Sequence, residues 1–114
     1  MSKIQGVEPD MIANNLTPAY PTHPGEVVKD EIEYRKISQR KLAEQTGIPY
    51  KVLNDILNGR RSMTTATAMM LEAALGVPAD SLMRLQLKYN ILQATRDKSF
   101  MERLAQIRKY AALL

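Results

Sequence analysis

Apolar residues recur every three or four positions along most of this chain, and no stretch alternates convincingly between apolar and polar residues as a strand does. The period predicts an all-α fold in which five short helices surround one core. We expect these helices to run from about 25 to 36, 38 to 47, 49 to 59, 64 to 75 and 78 to 94. The predicted inward residues are Val28 and Ile32 in the first helix and Ala68, Leu71 and Leu75 in the fourth.

The second and third helices carry the pattern of a helix-turn-helix. Ser38 is a good N-cap, and Gly47 can adopt the positive φ that ends a helix in a tight turn. Pro49 then starts the next helix without losing a needed N–H. Ala43 stands where a larger side chain would hold the two helices apart. Apolar residues are spaced to meet beneath the pair: Leu42, Leu53 and Ile56.

The third helix has two distinct faces. One is apolar and consists of Ile48, Val52, Leu53, Ile56 and Leu57. The other carries side chains that can all hydrogen-bond, namely Tyr50, Lys51, Asn54, Asp55 and Asn58. A major groove would meet this polar face, because base edges present donors and acceptors there. The alternative is an ordinary solvated face, on which Tyr50 packs over its neighbours and Asp55 pairs with Lys51 four residues earlier.

The distribution of charge favours contact with nucleic acid. The 114 residues carry a formal net charge of +4. Positions 38 to 62 hold five basic and two acidic residues, a local net charge of +3. A basic surface at the helix-turn-helix is what phosphate binding requires.

Composition argues against several other functions. The chain has no cysteine, so it can form neither a disulfide framework nor a thiolate metal site. His23 is its only histidine, and we expect a turn or helix-cap role for it. No nucleophile–base pair, metal cluster or phosphate-cradling glycine loop can be assembled, so we expect no enzyme, no catalytic residue, no metal and no cofactor. Since no long apolar run or signal-peptide pattern occurs, we expect a cytoplasmic protein without a membrane partner.

Both ends lie outside the five-helix unit, which gives predicted segments 1–22, 23–94 and 95–114. Prolines and an asparagine pair predict an irregular or mobile N-terminal extension, although it is too apolar for a plain solvated tail. In the C-terminal segment Ser99 and Glu102 form a capping-box pattern. A final amphipathic helix is predicted there from its apolar stripe, Phe100, Leu104, Ile107, Ala111 and Leu114. The stripe could fold back on its own domain or pair with another chain.

The fifth helix carries more apolar residues than packing against one small core requires. One stripe consists of Leu82, Leu85, Tyr89 and Leu92. A second consists of Met83, Leu87 and Ile91. We expect a homodimer held together through the first stripe with help from the final helix, because reading a palindromic site requires two recognition helices.

Four stretches resemble the HigA-type antitoxins of the phage-repressor-like (Xre) helix-turn-helix class. They are His23-Pro24-Gly25-Glu26-Val27-Val28, the helix-turn-helix through Asn58-Gly59-Arg60-Arg61, the turn Leu75-Gly76-Val77-Pro78, and Leu85-Gln86-Leu87-Lys88-Tyr89. The resemblance covers roughly residues 23 to 92. It implies the antitoxin of a type II toxin–antitoxin pair, which neutralises a HigB-type, RelE-like mRNA-cleaving toxin and represses its own operon as a dimer. Many relatives have glycine at the end of the first helix, where this chain has Lys36.

The resemblance also implies roles for individual residues. Base edges would be read by Tyr50, Lys51 and Asp55, with Asn54 a weaker candidate. Backbone phosphates would be held by Gln39, Asn58, Arg60, Arg61 and Ser62. In the N-terminal extension Met11, Ile12 and Leu16 share a short helical face and are candidates for toxin binding. The alternative function is a stand-alone or phage-type transcriptional repressor that uses the same DNA surface without a toxin.

Overall fold

The computed structural model describes residues 21–114, and within that range the chain forms six helices and no strand. They are α1 (Pro24–Tyr34), α2 (Gln39–Thr46), α3 (Tyr50–Leu57), α4 (Thr65–Leu75), α5 (Ala79–Ala94) and α6 (Lys98–Ala111). The all-α architecture with a five-helix helix-turn-helix unit is as predicted. The proposed toxin-binding residues Met11, Ile12 and Leu16 lie outside the described residues. None of the helices described is long and apolar enough to cross a membrane.

Local sequence signals set the ends of the helices. Ser38 caps α2 by accepting a hydrogen bond from the Lys41 N–H at 3.1 Å. Gly47 and Gly76 end α2 and α4 with φ of 78° and 76°. The first helix ends at Tyr34, slightly earlier than predicted, because Lys36 adopts a left-handed φ of 58°. A side chain in that conformation costs roughly 1–2 kcal/mol, which is why glycine suits the position better.

The core lies among α1 to α5. The inward residues predicted for α1 and α4 are buried, as are Leu42, Leu53 and Ile56 beneath the helix-turn-helix. Further buried side chains complete it: Ile48, Leu57, Met63 and Leu82. The apolar faces predicted for these helices are therefore confirmed.

α1 and α3 cross at Gly25. A Cβ atom built on this residue would lie 1.9 Å from the carbonyl oxygen of Ile56, so only glycine permits the crossing. The neighbouring His23 caps α1, accepting a hydrogen bond from the Gly25 N–H on its Nδ1 at 2.9 Å. The cap role predicted for this histidine is confirmed, and the cap positions α1 against the end of α3.

Two predictions about the C-terminal helices are wrong. The first places Leu82 at a dimer contact, but this side chain is fully buried in the core of its own chain. The second concerns the N-cap of the last helix, which is Asp97, accepting from the Phe100 N–H at 3.0 Å, while Ser99 lies inside the helix. α6 has no buried residue, so its apolar stripe does not fold back into the core of its own domain.

Candidate nucleic-acid interface

Residues of α2, α3 and the following turn build the candidate interface. Ala43 is buried where the two helices cross, and the left-handed turn at Gly47 sends the chain directly into α3. The apolar face of α3 faces the core, so its opposite side lies at the surface. The helix-turn-helix thus presents the predicted polar face except for Asp55, which is buried.

Two of the predicted base-reading residues stand out from this surface. The Lys51 side chain is 81% exposed. Tyr50 is 40% exposed, and the Arg40 guanidinium lies over its ring at 4.6 Å from the ring centroid. This cation–π contact orients the tyrosine and places one more positive charge at the start of α3. Sequence reasoning did not single out Arg40, because its contact with Tyr50 depends on how α2 and α3 cross.

Asp55 differs from its neighbours because it is enclosed. Its side chain is 12% exposed and is surrounded by three cations. Arg60 donates to Oδ1 from Nε at 3.2 Å and from Nη2 at 3.1 Å, while Lys51 Nζ lies 3.4 Å from both oxygens. Arg61 Nη2 lies 3.7 Å from Oδ2. The pairing with Lys51, which is the alternative to base reading, is therefore present within a larger cluster.

The electrostatic balance keeps the Asp55 carboxyl ionised. Burial alone would raise its pKa, but the hydrogen bonds and charges of Arg60 and Lys51 outweigh burial and lower the pKa below its ordinary value. The carboxylate therefore retains its negative charge among the cations of the candidate interface.

A chain of amide hydrogen bonds extends this cluster to α2. Asn54 donates from Nδ2 to Gln39 Oε1 at 2.8 Å and accepts from Arg60 Nη2 at 2.9 Å. Asn58 donates from Nδ2 to the Asn54 carbonyl at 2.9 Å. The structure thus places three of the predicted phosphate-binding residues in one network with Asn54, while Arg61 and Ser62 lie exposed in the following turn.

Lys29 joins this surface from α1. Its Nζ donates to Asn58 Oδ1 at 3.1 Å, which brings a cation from outside the helix-turn-helix to a predicted phosphate contact. Nothing in the local pattern of α1 marks this lysine, since 29 residues separate it from Asn58. It is an additional candidate for phosphate binding.

The motif residues outside the helix-turn-helix have structural roles. His23 packs edge-on against Tyr89, with 4.8 Å between ring centroids. Burial lowers the pKa of the His23 imidazole, and the Glu26 charge and a hydrogen bond to the Arg61 backbone offset only part of that effect. Gln86 is buried, accepts from the Met63 N–H at 2.7 Å, and so fixes the loop that follows the DNA face. Among residues 21–114 no three histidine or carboxylate side chains are grouped to hold a metal ion.

The outer face of α5 presents a second surface, which is apolar. Leu87 and Ile91 are 60% and 55% exposed and lie in a groove of about 360 Å³ that Arg84, Lys88 and Leu92 also line. The predicted contact residues Leu85, Tyr89 and Leu92 are half-buried; Leu92 lines this groove, and Tyr89 is held against His23. A neighbouring groove of about 420 Å³ continues this surface between the end of α5 and α6.

Comparison with known proteins gives consistent relatives. The helix-turn-helix family model HTH_3 matches residues 29–82. Virulence-associated protein I of Dichelobacter nodosus is 30% identical over 77 residues, which cover 67% of this chain and 71% of that protein. An addiction module antidote protein of a HigA family from Coxiella burnetii is 34% identical, with a TM-score of 0.65 over 70% of this chain and 88% of that one. The Pseudomonas aeruginosa antitoxin HigA, solved with the higBA promoter, is 27% identical, with a TM-score of 0.62 over 76% of this chain and 90% of that one.

Proposed function

The chain belongs to the Xre-like helix-turn-helix family, and from this membership we propose that it is an antitoxin that neutralises a HigB-type toxin and represses its own operon by binding operator DNA. The chain is an antitoxin-like DNA-binding protein of a family of helix-turn-helix regulators.

The observation that carries the DNA-binding part is the polar face of α3. Lys51 projects from it, Tyr50 is oriented beside it, and a preformed network links it to phosphate candidates on α2 and the following turn. Two of the relatives are antitoxin or antidote proteins, and one of them was solved with its promoter. We propose that Lys51 and Tyr50 reach base edges, and that Gln39, Asn58, Arg60, Arg61 and Ser62 hold phosphates.

We propose that the active DNA-binding form is a homodimer. A single module of this size buries only about 600–1,000 Å² on DNA, which is small for a tight specific complex. The exposed apolar groove around Leu87 and Ile91 offers a surface for the second copy. Of the predicted contact residues, Leu92 lines this groove and Leu85 and Tyr89 are half-buried on the same helix, whereas Leu82 is excluded because it belongs to the core.

The DNA assignment makes different predictions for Lys51 and Arg61. The selected duplex is the DNA that the wild-type chain enriches from random sequences. Lys51→Ala should then cost about 1–3 kcal/mol of binding free energy on the selected duplex and relax preference at one base pair, because the acceptors on a base lose the ammonium group that donates to them. Arg61→Ala should weaken binding to the selected duplex and to a random duplex equally, because contacts to phosphates carry no sequence information.

Equilibrium binding to both duplexes at fixed salt measures these effects. If Lys51→Ala loses the same affinity for both duplexes, this lysine contacts phosphate, which would contradict base reading. If the wild-type chain enriches no duplex at all, the repressor part of the proposal fails.

The toxin assignment predicts a role for the N-terminal extension. Deleting residues 1–20 should weaken binding of the HigB-type toxin by at least about tenfold, because apolar side chains that the toxin would bury are lost. Thermal stability and affinity for the selected duplex should stay nearly unchanged. Within the intact chain, Ile12→Ser tests the proposed face, and Ile4→Ser is the matched control outside it.

Full toxin affinity after the deletion would place the toxin surface elsewhere, with α6 the first candidate. The stand-alone repressor remains the alternative function. It predicts that no toxin-like reading frame neighbours the gene and that the chain protects cells against no such toxin.

A further inference from the structure

The cation cluster around Asp55 points to a role that differs from base reading. Both carboxylate oxygens are already engaged: Oδ1 accepts from Arg60, and Oδ2 lies near Lys51 and Arg61. Only 12% of the side chain is exposed. A cytosine amino group would therefore have to compete with these cations for the carboxylate.

The geometry of Arg60 shows what the carboxylate does. Arg60 donates to Asp55 from Nε and Nη2 and to Asn54 from Nη2, so its guanidinium is held at three contacts. A long arginine side chain otherwise samples many rotamers, and fixing it before DNA arrives removes part of the entropic cost of binding. The same carboxylate holds Lys51 Nζ, four residues earlier on α3.

The charge of Asp55 has a second effect. A negative charge among three cations reduces the attraction of this surface for any phosphate backbone. Since that attraction is independent of sequence, the carboxylate weakens binding to random DNA. Its positioning of the base-reading Lys51, and of Arg60, which fixes the register on the phosphate backbone, favours binding to the selected duplex.

We propose that Asp55 is a positioning residue that presets Arg60 and Lys51 for the operator and suppresses binding to random DNA, an inference that rests on the proposed DNA-binding function. In this role Asp55 acts on DNA through Arg60 and Lys51 and not by contact with a base. Specificity at this site thus depends on a carboxylate that acts through two cations.

The variant Asp55→Asn tests the proposal, because it keeps the size of the side chain and removes its charge. Affinity for the selected duplex should fall about tenfold as the charge-assisted hydrogen bonds are lost. Affinity for a random duplex should rise about twofold, with a steeper dependence on salt concentration. Asp55→Glu, which restores the charge, should recover most of the discrimination between the two duplexes.

Two further variants separate positioning from a general effect of surface charge and from direct base reading. Asp30→Asn makes the same charge change on the exposed surface of α1 and should leave the ratio of the two affinities unchanged. Arg60→Gln should weaken binding to the selected duplex. Adding Asp55→Asn to it should cost less than Asp55→Asn costs alone, because Arg60 is one of the two cations through which Asp55 acts.

The Arg60 Nε–H resonance provides a measurement that needs no DNA. In the free wild-type chain it should be protected from solvent exchange, and in Asp55→Asn it should exchange rapidly while the thermal midpoint confirms folding. An unprotected wild-type resonance would overturn the positioning role, whatever the DNA results.

A change of preference confined to one base pair, with additive effects of Asp55→Asn and Arg60→Gln, would also overturn the positioning role and return Asp55 to base reading. Failure of the wild-type chain to enrich a duplex would instead refute the proposed function.

Discussion

Replacing Gly25 with alanine should destabilise the fold by about 3 kcal/mol or more, although alanine is normally the better helix former by roughly 0.5–1 kcal/mol. The reason is the crossing of α1 and α3, where the new Cβ would meet the carbonyl oxygen of Ile56 at 1.9 Å and its carbon at 2.8 Å. Both are backbone atoms, so α1 must move away from the helix that carries the DNA face. Thermal unfolding followed by circular dichroism should show a midpoint lower by about 15 °C.

Gly76→Ala is the matched control. No atom lies within 4 Å of the Cβ that it would introduce, and only its φ of 76° is unfavourable for a side chain. This variant should cost about 1–2 kcal/mol, the ordinary penalty of the left-handed conformation. A Gly25→Ala variant that is as stable as the wild type would show that the two helices do not need their close approach.

The helices of the DNA-binding unit could be predicted because their signals are local. Ser38 and Gly47 act through hydrogen bonds and dihedral angles of their own helix, and Gly76 does the same for α4. The resemblance to HigA-type antitoxins was also available from the motifs, and the family is confirmed by the comparisons. Lys36 is a departure from the family pattern that the sequence already shows, and it adopts the conformation that glycine would occupy more easily.

The roles that depend on packing between helices could not be predicted. α5 is apolar on two stripes, so periodicity alone cannot say which one faces the core, and the stripe of Leu82 proved to be the inward one. Asp55 has the spacing of a base-reading residue, yet cations from the turn after α3 enclose it. Gln86 has the pattern of an ordinary polar residue, and its bond to the Met63 backbone spans 23 positions.

The correction at Leu82 changes how the dimer should be tested. Leu85→Glu and Leu92→Glu are natural choices on the first stripe, but both side chains are half-buried, so a loss of stability would accompany any loss of association. Ile91 is 55% exposed in the groove on the outer face of α5. A change there can disrupt association while leaving the monomer intact.

Ile91→Glu should give a folded monomer whose affinity for the selected duplex falls about a hundredfold or more. The two recognition helices are then no longer linked, so binding of the first no longer raises the effective concentration of the second. Across a two-fold contact, the substitution places two carboxylates in an apolar groove, where their desolvation opposes association. Sedimentation gives the oligomeric state, and binding to the selected duplex gives the affinity. Tyr34→Glu is the matched control, since Tyr34 is 86% exposed and lies on α1, away from the groove.

Two outcomes separate the symmetry of the assembly from the place of its interface. Wild-type monomers at micromolar concentration, with protection of one half-site only, would refute the two-fold model. An intact dimer of Ile91→Glu would keep the symmetry but place the contact outside both grooves, because Ile91 lines each of them. In either dimer two recognition helices about 34 Å apart should face the same side of the DNA, so the selected duplex should be a palindrome with half-sites roughly one helical turn apart.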